Sequence, residues 1–172
     1  EMCPEAQITW LFRDPAAAET PGYIEKLDMT SRHAFRRLGC ARVWVDNYVK
    51  RPYIYPRKGR QFYIQTWHGD RAFKKVGFDR PPVPKRLAEE RADLCVAGSD
   101  YGERQFRSAL HYYGPVLKEG YPRNDILVRS DPAQIREVRR RLGVADDAKL
   151  VLYAPTFRDS IGWRRQEVPL DL

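Results

Sequence analysis

Short apolar runs separated by polar, proline- and glycine-bearing segments set the rhythm of this chain. Ile8-Thr9-Trp10-Leu11-Phe12, Ala41 to Val45, Gln61 to Thr66, Leu94 to Ala97, Val116 to Glu119 and Leu150 to Tyr153 read as strands, rich in β-branched and aromatic residues. Helical spacing fills the intervals. Ser31 to Leu38 has Thr30 or Ser31 as cap and Gly39 as stop, and Lys85 to Arg91 is a second helix. Ser99-Asp100 caps a third helix that runs to about Leu110. Asp131-Pro132 to Leu142 carries an Asp cap, a proline in the first turn and Gly143 as stop, the marks of a self-contained helix. Strands alternating with helices predict an α/β fold built on a parallel sheet.

That alternation gathers the polar segments. In a parallel sheet the loops leaving the strands share one edge, and ligands sit just beyond the carboxyl ends. Asp46-Asn47, His68-Gly69, Ser99-Asp100 and the segment Gly120 to Asp125 are therefore expected side by side. A fifth strand end, Thr156-Phe157-Arg158-Asp159, follows the capped helix and is expected to open a second domain. Two such edges facing each other would enclose a cleft.

Bulk composition narrows the partners. The 172 residues suffice for one well-cored domain, or for one domain plus part of another, and 42% hydrophobic with 12% aromatic residues calls for a folded protein. The chain opens at Glu1 and ends at Leu172 without a closing element, so it reads as a fragment. A net charge of +8 points to a polyanion: nucleic acid, an anionic membrane face, a nucleotide or a phosphate polymer. Cys3, Cys40 and Cys95 are scattered and form no C-x-x-C pair, which indicates neither a disulfide framework nor zinc and fits a reducing, cytosolic setting. Cys95 is expected in the core. No apolar run approaches a membrane span, and no signal-peptide pattern opens the chain. Neither G-x-G-x-x-G nor a Walker A sequence is present, which argues against a Rossmann dehydrogenase or a P-loop enzyme.

The sharpest candidate for chemistry is His68, delivered at the end of Tyr63-Ile64-Gln65-Thr66-Trp67 and followed by Gly69. Histidine holds or moves a proton near neutral pH, and a glycine lets the chain turn and a substrate approach the backbone. The plain alternative is a loop histidine bonded to backbone. His33 and His111 are assigned structural roles. Lys74 and Lys75 are placed to meet phosphate oxygens, with solvated surface as the alternative. Arg123 follows Pro122 in the first turn of a short helix, where a guanidinium and free N–H groups could hold one anion together. Asn124 and Asp125 read as caps of that turn. Thr156 and Arg158 repeat the pattern of strand end, hydroxyl and guanidinium.

Four segments in order, Gln65-Thr66-Trp67-His68-Gly69, Lys74 to Asp79, Gly120 to Asp125 and Tyr153 to Asp159, resemble the CDP-glycerol glycerophosphotransferases, the bacterial teichoic-acid glycerol-phosphate primases and polymerases. The resemblance runs from about Ala41 to Asp159. Asp70-Arg71-Ala72-Phe73 departs from it, where the family commonly shows a Thr-Pro-Leu-like stretch. The resemblance implies a GT-B architecture of two Rossmann-like domains. Residues 1–128 would form the acceptor-side domain, and 129–172 a linker helix with the first strand and loop of the donor-binding domain. A second His-Gly loop would lie beyond these residues, so the fragment alone is expected to be inactive.

The implied reaction is attack by an acceptor hydroxyl on the β-phosphate of CDP-glycerol, with release of CMP and no metal or cofactor. His68 would be the base. Gly69, Arg123, Asn124, Asp125, Thr156 and Arg158 would line the phosphate site, and Lys74 and Lys75 would steer the anionic acceptor. The implied partners are a CDP-linked polyol donor and a phosphopolymer or lipid-linked acceptor. The implied location is the cytoplasm, peripheral to the inner face of the membrane. Three rivals stay open at this point: a GT-B glycosyltransferase using a nucleotide sugar (or CDP-ribitol), a basic polyanion-binding domain without catalysis, and a membrane-docking module. Tyr53, Tyr55, Phe62 and Tyr63 interleaved with Arg and Lys prompt the second, but no nucleic-acid-binding signature accompanies them.

Overall fold

The computed structural model describes residues 5–48, 56–70, 75–83, 89–129 and 131–153. The chain divides into two compact units, Glu1–Asp125 and Ile126–Leu172. Among its described residues the first holds six strands and two longer helices in the order β1 (Ile8–Phe12), β2 (Ile24–Asp28), α1 (Arg32–Cys40), β3 (Val43–Asp46), β4 (Phe62–Gln65), β5 (Leu94–Val96), α2 (Asp100–Leu110) and β6 (Val116–Leu117). A 3-10 turn at Pro122–Asn124 leads into α3 (Asp125–Val128), and α4 (Pro132–Leu142) belongs to the second unit. Among the described residues no helix is long and apolar enough to cross a membrane.

Every strand pair is parallel. β1 and β2 form a two-stranded sheet, and β3-β4-β5-β6 form a second sheet whose spatial order follows the sequence. An α/β fold with parallel sheets was the expectation, and it is what the chain adopts. The sequential order carries the chain repeatedly back to the same edge, so all four carboxyl ends open on one side.

The core lies between the second sheet and α2. Tyr63 and Cys95 from β4 and β5 meet Phe106 and Leu110 from α2, with Trp44, Trp67, Ala97 and Tyr112 closing the cluster. Phe106 and Leu110 are four apart and share a helix face, which is the spacing that lets one stripe of α2 cover the strands. Burial raises the Cys95 thiol far above its ordinary value, with the Glu90 charge adding to the effect. Ser99 caps α2 by accepting from the Gly102 N–H at 3.1 Å. His111 ends it in the left-handed region (φ 50°) with its ring stacked 3.7 Å from Phe78. His33, by contrast, is exposed on α1.

Several expectations need correction. β2 was not anticipated, because Ile-Glu-Lys-Leu-Asp lacks a two-residue alternation; five in-register pairs with β1 and a 2.7 Å Thr9–Glu25 hydrogen bond hold it. Gly39 does not stop α1, which passes through it and ends where Ala41 turns extended. Leu150 to Tyr153 forms no strand, since the described residues of the second unit contain no other strand to pair with. The helix expected over Lys85 to Arg91 lies mostly outside the described residues, and Glu89 to Arg91 are not helical. The Asp131 cap, Pro132 and Gly143 (φ 66°) of α4 stand as expected.

Candidate functional site

The loops leaving β3 and β4 are tied together by one buried amide. Gln65, wholly buried at the last position of β4, donates from Nε2 to the Tyr48 carbonyl and the Tyr63 hydroxyl, both at 3.0 Å. Its Oε1 accepts from the Trp67 N–H at 2.9 Å. A buried amide is tolerated only when its donors and acceptor are matched, and here matching them fixes the shape of two loops. Trp67 is held at φ 51°, a left-handed conformation that costs a non-glycine residue about 1 kcal/mol or more. The turn buries the indole and delivers the next residue, His68, to solvent.

His68 is oriented from two sides. Its ring stacks on Trp67 at 4.5 Å and lies 5.9 Å from the Tyr48 ring. Its Nδ1 stands 2.8 Å from the Asn47 carbonyl oxygen. A carbonyl only accepts, so Nδ1 carries the hydrogen and the neutral ring presents the lone pair of Nε2.

Next to the imidazole, Gly69 (φ 123°) faces the guanidinium of Arg123. A Cβ on Gly69 would stand 2.5 Å from an Arg123 Nη. The same guanidinium lies 5.0 Å over the Tyr121 ring. Tyr121 in turn donates its hydroxyl to Asp70 Oδ1 at 2.5 Å, and Ser99 donates to Oδ2 at 2.5 Å. Burial raises the Tyr121 phenol well above its ordinary value, and the Asp70 hydrogen bond raises it further, so the hydroxyl stays a donor. A cavity of about 20 Å³ lies behind this loop, between Trp67, Asp70, Phe106 and Tyr121. That is room for about one water molecule.

Lys118 contacts Asp100 at 2.8 Å and Glu103 at 3.1 Å, which raises the ammonium and lowers the Asp100 carboxyl; Glu103 is lowered first by its Arg107 hydrogen bond and then by Lys118.

Gly69, next in sequence to His68, and Arg123 therefore meet from the loops that follow β4 and β6. Asn124 and Asp125 lie exposed beside Arg123; Asp125 occupies the C-terminal cap of the 3-10 turn, its N–H donating to the Pro122 carbonyl, and the Asn124 N–H donates to the Tyr121 carbonyl at 2.8 Å. Lys75 is exposed just before a separate 3-10 turn at Gly77–Asp79. Lys74, Thr156 and Arg158 lie outside the described residues. Reading the sequence put Asp46-Asn47 and the segment Gly120 to Asp125 on this edge but gave Asn47, Tyr48, Asp70 and Tyr121 no role in the site. The one available signal was the pair Gly98 and Gly102, which flank Ser99 and mark a close approach at the start of α2.

Comparison with known proteins places this geometry in context. The family model described as CDP-glycerol:poly(glycerophosphate) glycerophosphotransferase matches residues 1–172. A teichoic acid poly(glycerol phosphate) polymerase of Staphylococcus epidermidis is 32% identical over 170 residues, covering 91% of this chain and 23% of its own length. The wall teichoic acid polymerase TagF superposes with a TM-score of 0.80 at 31% identity, over 91% of this chain and 42% of that one. A TagF variant soaked with CDPG gives a TM-score of 0.77 at 31% identity, over 88% and 40% of the two chains. The chain thus spans less than half the length of these relatives.

Proposed function

We propose, from the premise that this chain belongs to the CDP-glycerol:poly(glycerophosphate) glycerophosphotransferase family, that its strand-tip site serves glycerol-phosphate transfer. Glycerol phosphate, or a related polyol phosphate, passes from a CDP-activated donor to a hydroxyl of a growing cell-wall phosphopolymer. The acceptor oxygen bonds to the β-phosphorus, the bond from that phosphorus to the bridging oxygen breaks, and CMP leaves with the bridging electrons. The hydroxyl proton passes to Nε2 of His68. Phosphoryl-type transfer depends on positioning and on offsetting charge, and Arg123 supplies a cation beside the base.

The observation that carries this reading is an exposed imidazole with Nδ1 bonded to the Asn47 carbonyl, one residue from a glycine covered by the Arg123 guanidinium. Gly69, lacking a side chain, makes room for the Arg123 guanidinium at the phosphate site, and Asn124 and Asp125 border Arg123. Lys74 and Lys75 steer the anionic acceptor, while Thr156 and Arg158 hold phosphate from the donor side. Residues 1–128 serve the acceptor and 129–172 begin the donor-binding part. The polymer and its lipid-linked precursor place the reaction at the inner face of the membrane, where a net charge of +8 favours peripheral contact.

The test is His68→Ala in the intact natural protein, assayed for CMP release and polymer growth with CDP-glycerol. Turnover is expected to fall by about 10²–10⁴-fold with the fold retained. Near-normal turnover would remove His68 from the base role.

A further inference from the structure

The reactive-looking pair His68 and Arg123 differ in how they are held. The imidazole is fixed by main-chain and ring contacts, whereas Arg123 is an exposed, rotamer-rich side chain on a short turn. Freezing such a side chain costs up to about 2 kcal/mol of entropy, so a defined guanidinium position needs walls. Two are present: the Gly69 backbone and the face of Tyr121.

The Tyr121 wall is itself anchored. Its hydroxyl donates to Asp70, and the same carboxylate accepts from Ser99 Oγ at 2.5 Å and from the Gly98 N–H at 3.4 Å. Space for this arrangement is carved by two glycines. A Cβ on Gly98 would come within 2.7 Å of the Tyr121 ring and 3.1 Å of the Asp70 carboxylate. A Cβ on Gly102 would run into the Asp70 carboxylate itself. The carboxylate also sits at the N-terminus of α2, beside the Ser99 cap, where negative charge is favoured. Asp70 thereby joins the tips of β4, β5 and β6 at one point.

We infer that Asp70 is a positioning residue: through the Tyr121 hydroxyl it fixes the ring on which the Arg123 guanidinium rests, and so sets that guanidinium against Gly69, the residue after His68. Asp70 spends its carboxylate on Tyr121, Ser99 and the Gly98 N–H. It acts through Tyr121 on Arg123, and the inference rests on the transfer reading only for the consequence to turnover.

The experiment combines structure and kinetics in the intact natural protein. Tyr121→Phe removes one hydroxyl and keeps the ring, so it retains the packing; Asp70→Asn and Asp70→Ala complete the series. In a crystal structure of Tyr121→Phe, the guanidinium is expected to leave the ring face and the Gly69 contact. With CDP-glycerol, Tyr121→Phe is expected to lower kcat about tenfold in the parent and by less than about twofold in an Arg123→Ala background, since coupled residues are non-additive. Asp70→Asn, which keeps an acceptor for the tyrosine, is expected to recover part of the activity lost in Asp70→Ala.

An Arg123 guanidinium unmoved in Tyr121→Phe, or an equal kcat loss in both backgrounds, would overturn the inference. If the parent transfers nothing from CDP-glycerol, the transfer reading fails. The position of Arg123 in the variant still decides whether Asp70 and Tyr121 hold it.

Discussion

The Arg123 guanidinium occupies the space that a Cβ on Gly69 would need, with the ideal Cβ position only 2.5 Å from its Nη. A residue on the β4 loop and one beyond β6, 54 positions apart in sequence, are thus fitted to each other at the backbone. The fit requires both the missing side chain and the φ of 123°, a region that L residues rarely adopt.

Gly69→Ala follows directly. The strained backbone is expected to cost about 1–3 kcal/mol, read from a denaturant or thermal unfolding curve. The clash itself is with the tip of a flexible side chain, so it moves Arg123 rather than unfolding the protein. Turnover should therefore drop more than stability would explain, and an alanine variant with full transfer activity would contradict the close fit.

The buried amide of Gln65 gives a second expectation. Gln65→Leu keeps the volume but leaves the Trp67 N–H and the Tyr48 carbonyl without their partner on the side chain. Losing the bond from the buried Trp67 N–H costs about 1–3 kcal/mol. Unfolding midpoints should fall accordingly, and the His68 loop should become more accessible to protease. A variant as stable as the parent would show that water replaces the amide.

The cysteines give a third. Cys40 is exposed and Cys95 wholly buried. A thiol reagent should modify Cys40 in the native state and reach Cys95 only on unfolding, which Cys40→Ser and Cys95→Ser variants separate by mass spectrometry. Burial, then the Glu90 charge, lifts the Cys95 thiol above its reference value of 9.0. The unfolded thiol ionises first as pH rises, so this contribution to stability is full below about pH 9 and is lost above it. Rapid alkylation of Cys95 in the folded protein would contradict this.

Much of this was legible in the residues. The Asp131-Pro132…Gly143 helix and the Ser99 cap carry local signals that need no tertiary partner, and they stand where expected. Strand positions were legible to within a residue or two wherever β-branched and aromatic residues clustered. What was not legible depended on distant partners. β2 exists because β1 is there to pair with it, whereas Leu150 to Tyr153 has no such neighbour among the described residues of its unit. At the site, the type of His68 and Arg123 announced their chemistry, but Asp70 looked like a departure from a familiar pattern. Its partners Ser99 and Tyr121 are 29 and 51 positions away, and only the fold brings them to it.

The bond from His68 Nδ1 ends on a peptide oxygen, not on the side chain of Asn47. Every amino acid brings that oxygen with it. Genetic drift at position 47 can thus change the residue's bulk or polarity without altering which ring nitrogen is protonated. The proton inventory of this imidazole is written into the course of the main chain, and only a change that reroutes the backbone can rewrite it.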